Sequence, residues 1–209
     1  MAKIGVLSFL KILEKSTPQK ITEYLKYLEP GGYGGFYSPL RQATRAVTIE
    51  AASFESQREL LQAIEKANER KHNLAAFDQL KKLIEKYSIT EFFAVPSISL
   101  ATPKDNMSLL LTPDFGGVID GKRHVFKVAY SKDTTVAARS QKIARRLFEK
   151  YLCVGSFADC TARVLDLKRK SIFAQSGDPL VMDLIVDGEF ALIDSIFEGH
   201  KKNKSAAVA

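Results

Sequence analysis

Hydrophobic side chains recur every three or four positions through the first third of the chain, which is the spacing of one helix face. Three such stripes precede residue 73: Val6, Phe9, Leu10 and Leu13; Ile21, Tyr24, Leu25 and Leu28; and Leu60, Leu61, Ile64 and Ala67. The segment GGYGGFYSP, residues 31–39, lies between the second and third stripes and predicts a loop because of its four glycines and its proline. Residues 1–72 are therefore predicted to form a helical N-terminal region.

Beyond residue 73 the pattern alternates between helix and strand spacing. Asn73 is a candidate N-cap, and it precedes an amphipathic helix that ends near Tyr87. TEFFAVPSISLA, residues 90–101, predicts a strand that is kinked at its proline. SLLLTPDFGGVI and RHVFKVAY predict two strands joined at Asp120-Gly121, since an Asp-Gly pair between apolar runs favours a two-residue hairpin turn.

The last third continues this alternation. TTVAARSQKIARRLFEKYLC predicts a helix with Ile143, Leu147 and Tyr151 buried together, and TARVLDLKRKSIFAQ predicts one strand or a strand pair. In residues 178–199, Asp178-Pro179 is typical of a helix start, but Asp187-Gly188 also fits a second hairpin. For this segment we expect a strand or hairpin around the Asp-Gly pair and a helix at its end.

The order of elements predicts an α+β fold of one mixed central sheet flanked by helices. The core, residues 73–199, follows the order αβββαβ, and the helical residues 1–72 form an extension to it. The lysine-rich residues 200–209 have little to pack with, and we expect a disordered basic tail.

Composition narrows the class of protein. A hydrophobic content of 45% and a charged content of 26% are typical of a globular chain, and no apolar run approaches the roughly 18 residues of a membrane span. We expect a cytoplasmic protein with no membrane contact, in which Cys153 and Cys160 are reduced thiols. The net charge of +7 suits a polyanionic partner, although a modest lysine excess also favours solubility.

The hairpin carries the candidate chemistry. A Thr-Pro-Asp segment, residues 112–114, enters it, and Val-Phe-Lys, residues 125–127, lies on its return strand. With the order of elements around it, this pattern resembles the PD-(D/E)xK, or restriction-endonuclease-like, superfamily. The resemblance implies that Asp114 is a ligand of a divalent metal, often magnesium (Mg²⁺), and that Lys127 positions or activates the attacking water. Hard cations of this kind prefer carboxylate oxygens, and phosphodiester cleavage needs charge stabilisation and a poised hydroxide.

The second acid of the family motif is missing, because Val125 stands where an Asp or Glu is expected. Some family members carry this acid on the preceding helix, where Glu85 or Asp78 could replace it. We therefore predict Asp114 and Glu85 as the metal ligands, although Glu85, next to lysines, also fits a solvated helix charge. VLDLK, residues 164–168, offers a second match through Asp166 and Lys168, with Asp159 upstream. A predicted helix lies between the VLDLK segment and Asp114, so we interpret Asp166 and Lys168 as exposed strand charges.

Basic side chains around the hairpin favour a nucleic-acid partner. The candidate phosphate-binding residues are Lys122 and Arg123 at the hairpin turn, and Arg139, Lys142, Arg146 and Lys150 on one face of the following helix. As an alternative, the solvent-exposed helix face of any basic protein can show the same pattern of lysines and arginines. His124 alternates with Val125 and Phe126 on the return strand, which predicts an outward-facing histidine.

Three functional hypotheses follow. The first is a degenerate nuclease-like core that binds DNA or RNA without efficient cleavage, which Val125 favours. The second is an active Mg²⁺-dependent nuclease, a phosphodiesterase with a relocated acid, which Pro113, Asp114 and Lys127 favour. The third is a protein-interaction module that binds a protein partner or forms a homo-oligomer and does not bind nucleic acid.

Overall fold

The computed structural model of the chain describes residues 1–28, 35–130 and 137–206, with side chains up to residue 203. Residues 31–34 of the predicted glycine-rich loop therefore lie outside the described residues. The helices are α1 (Val6–Leu13), α2 (Thr17–Leu25), α3 (Ser38–Ile49), α4 (Phe54–Gln62), α5 (Ala67–Lys86), α6 (Ala138–Tyr151) and α7 (Pro179–Ala206). The strands are β1 (Ala2–Gly5), β2 (Thr90–Phe93), β3 (Ile98–Ala101), β4 (Met107–Leu111), β5 (Phe115–Ile119), β6 (Lys122–Ala129), β7 (Thr161–Asp166) and β8 (Ser171–Phe173).

The larger sheet has five strands in the order β2-β5-β6-β7-β8. Neighbouring strands are antiparallel except β6 and β7, which are parallel and are connected through α6. The chain thus has the predicted α+β class. The predicted strand or strand pair at residues 161–175 is a pair, β7 and β8.

A second, three-stranded sheet has the order β1-β4-β3, with β1 parallel to β4 and β3 antiparallel to it. The sequence prediction was wrong here in two respects. The N-terminal region is not purely helical, because it supplies β1, and the strands predicted at 90–101 and 108–119 are each divided between the two sheets. Both breaks contain a proline, Pro96 or Pro113, whose missing N–H cannot continue a ladder of hydrogen bonds.

The β5–β6 hairpin has the predicted two-residue turn. Asp120 has φ 49° and Gly121 has φ 71°, the pair of left-handed conformations that this tight turn requires. Phe115 lies opposite Phe126, and Ile119 lies opposite Lys122. The residue before β5, Asp114, donates its backbone N–H to the carbonyl of Phe126 at 2.9 Å, and this places Asp114 beside the return strand.

Hydrophobic side chains cover both faces of the central strand. Val125 and Ala129 of β6 are buried in one cluster with residues of α1, α6 and α7, whereas Phe126 and Val128 are buried in another with residues of α3 and α5. Alternation along β6 places these pairs on opposite faces. A strand with helices on both sides is buried along most of its length, which determines the environment of the candidate site.

Asn73 lies inside α5 and does not cap it, because α5 begins six residues earlier, at Ala67. Its side chain is fully buried, accepts the N–H of Leu40 at 3.1 Å and donates to the carbonyl of Phe36 at 2.9 Å. Asn73 therefore ties α5 to the start of α3.

Helix α7 overturns the hairpin prediction at Asp187-Gly188, since it is helical from Pro179 to Ala206. The apolar residues that it buries are Met182, Val186, Phe190, Ile193 and Phe197, at spacings of three or four. This stripe is buried on one side only if the segment is helical, so its burial prevails over the local turn signal.

The predicted disordered tail is likewise helical through residue 206, and Lys201 donates to Asn106 Oδ1 at 2.6 Å. Residues 207–209 lie outside the described residues. Neither α7 nor any other helix in the described ranges is long and apolar enough to cross a membrane.

Both cysteines are free thiols in the structure. Cys160 is buried and Cys153 is partly buried. Burial raises the pKa of Cys153 to about 12, and the neighbouring Cys160 adds to the effect. Cys153 is therefore a protonated thiol at neutral pH, which is typical of a packing residue.

Candidate functional site

Asp114 and Lys127, predicted as catalytic residues, are in direct contact in the structure. Lys127 Nζ lies 2.9 Å from Asp114 Oδ2, and both side chains are only 7% exposed. Lys127 Nζ also donates to the carbonyl of Thr112 at 2.8 Å. The two strands of the hairpin region thus hold a buried ion pair at the point where the chain enters β5.

Both oxygens of the Asp114 carboxylate accept hydrogen bonds from the protein. The backbone N–H of Val128 donates to Oδ2 at 2.7 Å, and the hydroxyl of Tyr130 donates to Oδ1 at 3.2 Å. The ammonium group of Lys127 balances the negative charge. A metal ion at this carboxylate would compete with these donors and with the Lys127 charge.

Tyr130 is a site residue that the sequence reasoning missed. It is buried, and its hydroxyl lies 3.3 Å from Thr44 Oγ1 as well as beside Asp114. Burial and the neighbouring Asp114 charge raise the pKa of Tyr130 well above its ordinary value, so the hydroxyl stays protonated and can donate. Its one sequence signal is an aromatic residue just past the end of the return strand.

The positions considered for a second acid supply no carboxylate that contacts Asp114. Val125 is 1% exposed and belongs to the core. Asp78 pairs with Arg58 at 2.9 Å, and Glu85 is exposed on α5. Among the residues that the structure describes, no group of three or more His, Cys, Asp or Glu side chains could hold a metal ion. The metal site of Asp114 and Glu85 therefore stays a prediction.

Asp166 was wrongly predicted as an exposed strand charge, because it is only 2% exposed. Its Oδ1 accepts the backbone N–H groups of Lys168 and Arg169 at 3.1 and 3.0 Å, and its Oδ2 accepts the Gln141 amide at 3.0 Å. Asp166 thus closes the β7–β8 turn and ties it to α6. It lies opposite Ala129, on the other side of β6 from Asp114, and binds different groups.

Two of the predicted phosphate-binding residues, Arg146 and Lys150, pair with one carboxylate of the protein. Arg146 Nη2 and Lys150 Nζ lie 2.8 and 3.1 Å from the same carboxylate oxygen, Oδ2 of Asp183 on α7. The hydrogen bond from Arg146 is the main cause of the lowered pKa of Asp183. These three side chains hold α6 against α7. The carboxylate of Asp183 offsets part of the positive charge of Arg146 and Lys150.

The remaining four predicted basic residues belong to two separate places. Lys122 is exposed at the hairpin turn, and Arg123 beside it pairs with Asp159 at 2.8 Å, with its guanidinium 4.7 Å from the centre of the Phe93 ring. Arg139 and Lys142 lie at the start of α6, which follows the opposite end of β6. The eight residues of β6 separate its two ends by roughly 23 Å at about 3.3 Å per residue.

His124 does not face outward as predicted. It is 4% exposed, and its Nδ1 lies 2.5 Å from Thr161 Oγ1 on β7. Burial, followed by the charge of Arg163, lowers the pKa of His124, so the ring is neutral at pH 7. The prediction failed because β6 is a central strand that is covered on both faces.

A cavity of about 590 Å³ lies beside Asp114. Its lining consists of Arg41, Arg45 and Ile49 of α3, residues 94–97 between β2 and β3, and residues 112–114. The sequence reasoning passed over the two arginines, whose spacing of four in LRQATR places them on one helix face.

A search of protein-family models and of curated proteins found no match to this chain.

Proposed function

We propose that this chain binds nucleic acid through a nuclease-like core that does not cleave it efficiently. The observation that carries this proposal is the state of Asp114, whose carboxylate already binds Lys127, the Val128 N–H and the Tyr130 hydroxyl. A catalytic Mg²⁺ needs free carboxylate oxygens and usually one or two acids. With Val125 buried in the core, the acid of the family triplet is absent from its usual position.

The order of elements supports the proposed relation to the PD-(D/E)xK superfamily. Helix α5 precedes β2, the β5–β6 hairpin follows, and α6 then leads to β7. This is the order that the sequence resemblance implies, with β3 and β4 as an added segment between β2 and the hairpin. The proposal draws further support from the Pro-Asp pair, which enters the hairpin, and from Lys127, which is on its return strand.

The distribution of charge supports a polyanionic partner. The chain carries a net charge of +7. Of the six predicted phosphate-binding side chains, Lys122, Arg139 and Lys142 form no ion pair with any residue in the described ranges. Charges of this kind bind phosphates by releasing condensed counterions, which makes the affinity fall as salt rises.

The test is fluorescence anisotropy with labelled single- and double-stranded DNA and RNA. We expect binding that weakens steeply between about 50 and 200 mM salt, as phosphate contacts do. We expect the labelled strands to remain intact on a gel after incubation with Mg²⁺ or Mn²⁺. Metal-dependent cleavage that disappears in the Asp114→Asn variant would overturn the proposal in favour of an active nuclease. Absence of binding to all four substrates at low salt would favour the protein-interaction hypothesis.

A pair of double variants locates the binding surface. Replacing Arg139 and Lys142 by alanine should reduce the slope of log affinity against log salt by about two, because each phosphate-bound cation contributes about one. Replacing Arg58 and Lys81 by alanine is the matched control, since both are surface cations paired with acids on α4 and α5. Equal slopes for the two double variants would show that the start of α6 is not the contact.

A further inference from the structure

The cavity beside Asp114 combines positive charge with an apolar wall. Arg41 and Arg45 lie on one side, and Ile49, Val95 and Pro96 contribute aliphatic surface. We propose that this cavity binds one nucleoside phosphate unit, with the phosphate on the two guanidinium groups and the base against the aliphatic side chains. The inference rests on the proposed function, because it names the part of a nucleic acid that this site takes.

Both arginines can bind an anion, Arg41 directly and Arg45 by exchanging a solvent-exposed partner. Within the part of the chain that the structure describes, Arg41 forms no ion pair. Arg45 pairs with Glu50 at 3.2 Å, but the two side chains are 71% and 58% exposed, and a pair so exposed is easily exchanged. A guanidinium group presents parallel N–H donors that match two phosphate oxygens, so two arginines on one helix face form a suitable phosphate site.

The carboxylate of Asp114, in the cavity wall, does not prevent an anion from binding. Asp114 lines the cavity, yet its charge is balanced by Lys127 at 2.9 Å, and its oxygens accept from Val128 and Tyr130. Arg41 also lies near Tyr130. Its positive charge lowers the pKa of Tyr130 slightly, whereas burial and the charge of Asp114 raise that pKa by more. The charge of Asp114 therefore does not cancel the charges of the two arginines.

The size and the apolar part of the cavity favour a nucleoside phosphate over a small inorganic anion. A volume of about 590 Å³ is within the usual range of small-molecule sites. Such sites bury the apolar body of a ligand against hydrophobic side chains and fix its orientation with few polar groups. Ile49, Val95 and Pro96 provide that surface next to the arginines, where a base attached to a bound phosphate would lie.

Isothermal titration calorimetry with the full chain tests this inference. Adenosine and uridine 5′-monophosphates should bind at least about tenfold more tightly than the corresponding nucleosides, because each charge-assisted phosphate contact is worth more than a tenfold change in affinity. They should also bind more tightly than inorganic phosphate. Arg41→Ala should weaken mononucleotide binding by about tenfold or more, and Arg45→Ala should act in the same direction. Arg58→Ala, which removes a comparably exposed and paired arginine on α4, should leave binding unchanged.

The outcomes separate this inference from the proposed function. Mononucleotide binding that is absent, or that is the same in wild type and Arg41→Ala, overturns the inference. If oligonucleotides still bind in that case, the proposed function stands without it. If mononucleotides bind through Arg41 but oligonucleotides do not bind, the cavity assignment stands and the proposed function fails. Circular dichroism of each variant checks that the fold is retained, as expected for exposed arginines.

Discussion

Replacing Lys127 by methionine is expected to lower the free energy of unfolding by about 3–5 kcal/mol, because it leaves a buried carboxylate without its ion-pair partner. The side chains of Lys127 and Asp114 are both 7% exposed, so water cannot readily replace the missing ammonium group. The carbonyl of Thr112 also loses its donor. Urea denaturation followed by circular dichroism measures this loss.

Two further variants test whether the loss of stability comes from the uncompensated charge of Asp114. Lys122→Met removes an exposed lysine from the same strand and should change stability by less than about 0.5 kcal/mol. The double variant Asp114→Asn/Lys127→Met removes both charges and should recover much of the loss, because a neutral side chain costs less to bury. A Lys127→Met variant within about 1 kcal/mol of wild type would contradict the importance of the pair.

Replacing Asp194 by alanine is expected to destabilise the protein by about 3 kcal/mol, since three donors lose a charged acceptor. Asp194 of α7 is 3% exposed and accepts the Thr102 hydroxyl at 2.6 Å, the Lys104 N–H at 2.9 Å and the Asn106 amide at 3.0 Å. These bonds fasten the β3–β4 turn to the helix. Asp187→Ala, at an exposed position of the same helix, is the control and should have little effect. Equal stabilities of the two variants would contradict this role.

The same residue contributes to acid sensitivity. Burial raises the pKa of Asp194, but the hydrogen bonds from Thr102, Asn106 and Lys104 outweigh it, and the net pKa is lowered. A carboxyl whose folded pKa lies below its unfolded value of about 3.9 adds stability above that value. This stability is lost as the pH falls from about 4 toward the folded pKa. The unfolding free energy of Asp194→Asn should therefore fall less between pH 5 and pH 2 than that of wild type.

The two Asp-Gly pairs of the chain show what the sequence could predict about the fold. Asp120-Gly121 forms the predicted hairpin turn, because the flanking strands bury alternate residues on both faces. Asp187-Gly188 lies in the middle of α7, because the surrounding apolar residues repeat at helical spacing. A dipeptide favours a turn by a small amount, and the burial of a whole stripe decides the outcome.

The candidate site could be predicted only where its residues share a local motif. Asp114 and Lys127 were found because the hairpin brings them together within 13 positions. Tyr130 and Arg41 were missed because their place in the site depends on how α3 packs against the sheet. The burial of Asp166 was misjudged because it depends on Gln141, which α6 contributes from a distant part of the sequence. Such long-range packing leaves no pattern in the neighbouring residues.

The small sheet has a consequence for the order of folding. Ala2 of β1 lies opposite Met107 of β4, about 105 residues later in the chain. Contacts between such distant segments form slowly, because closing a long loop costs entropy before the contact stabilises anything. Until β1 is in place, one edge of β4 is unpaired and its apolar MSLLL segment can pair with another chain. We therefore expect the first five residues to limit aggregation of the folding chain as well as to complete a sheet.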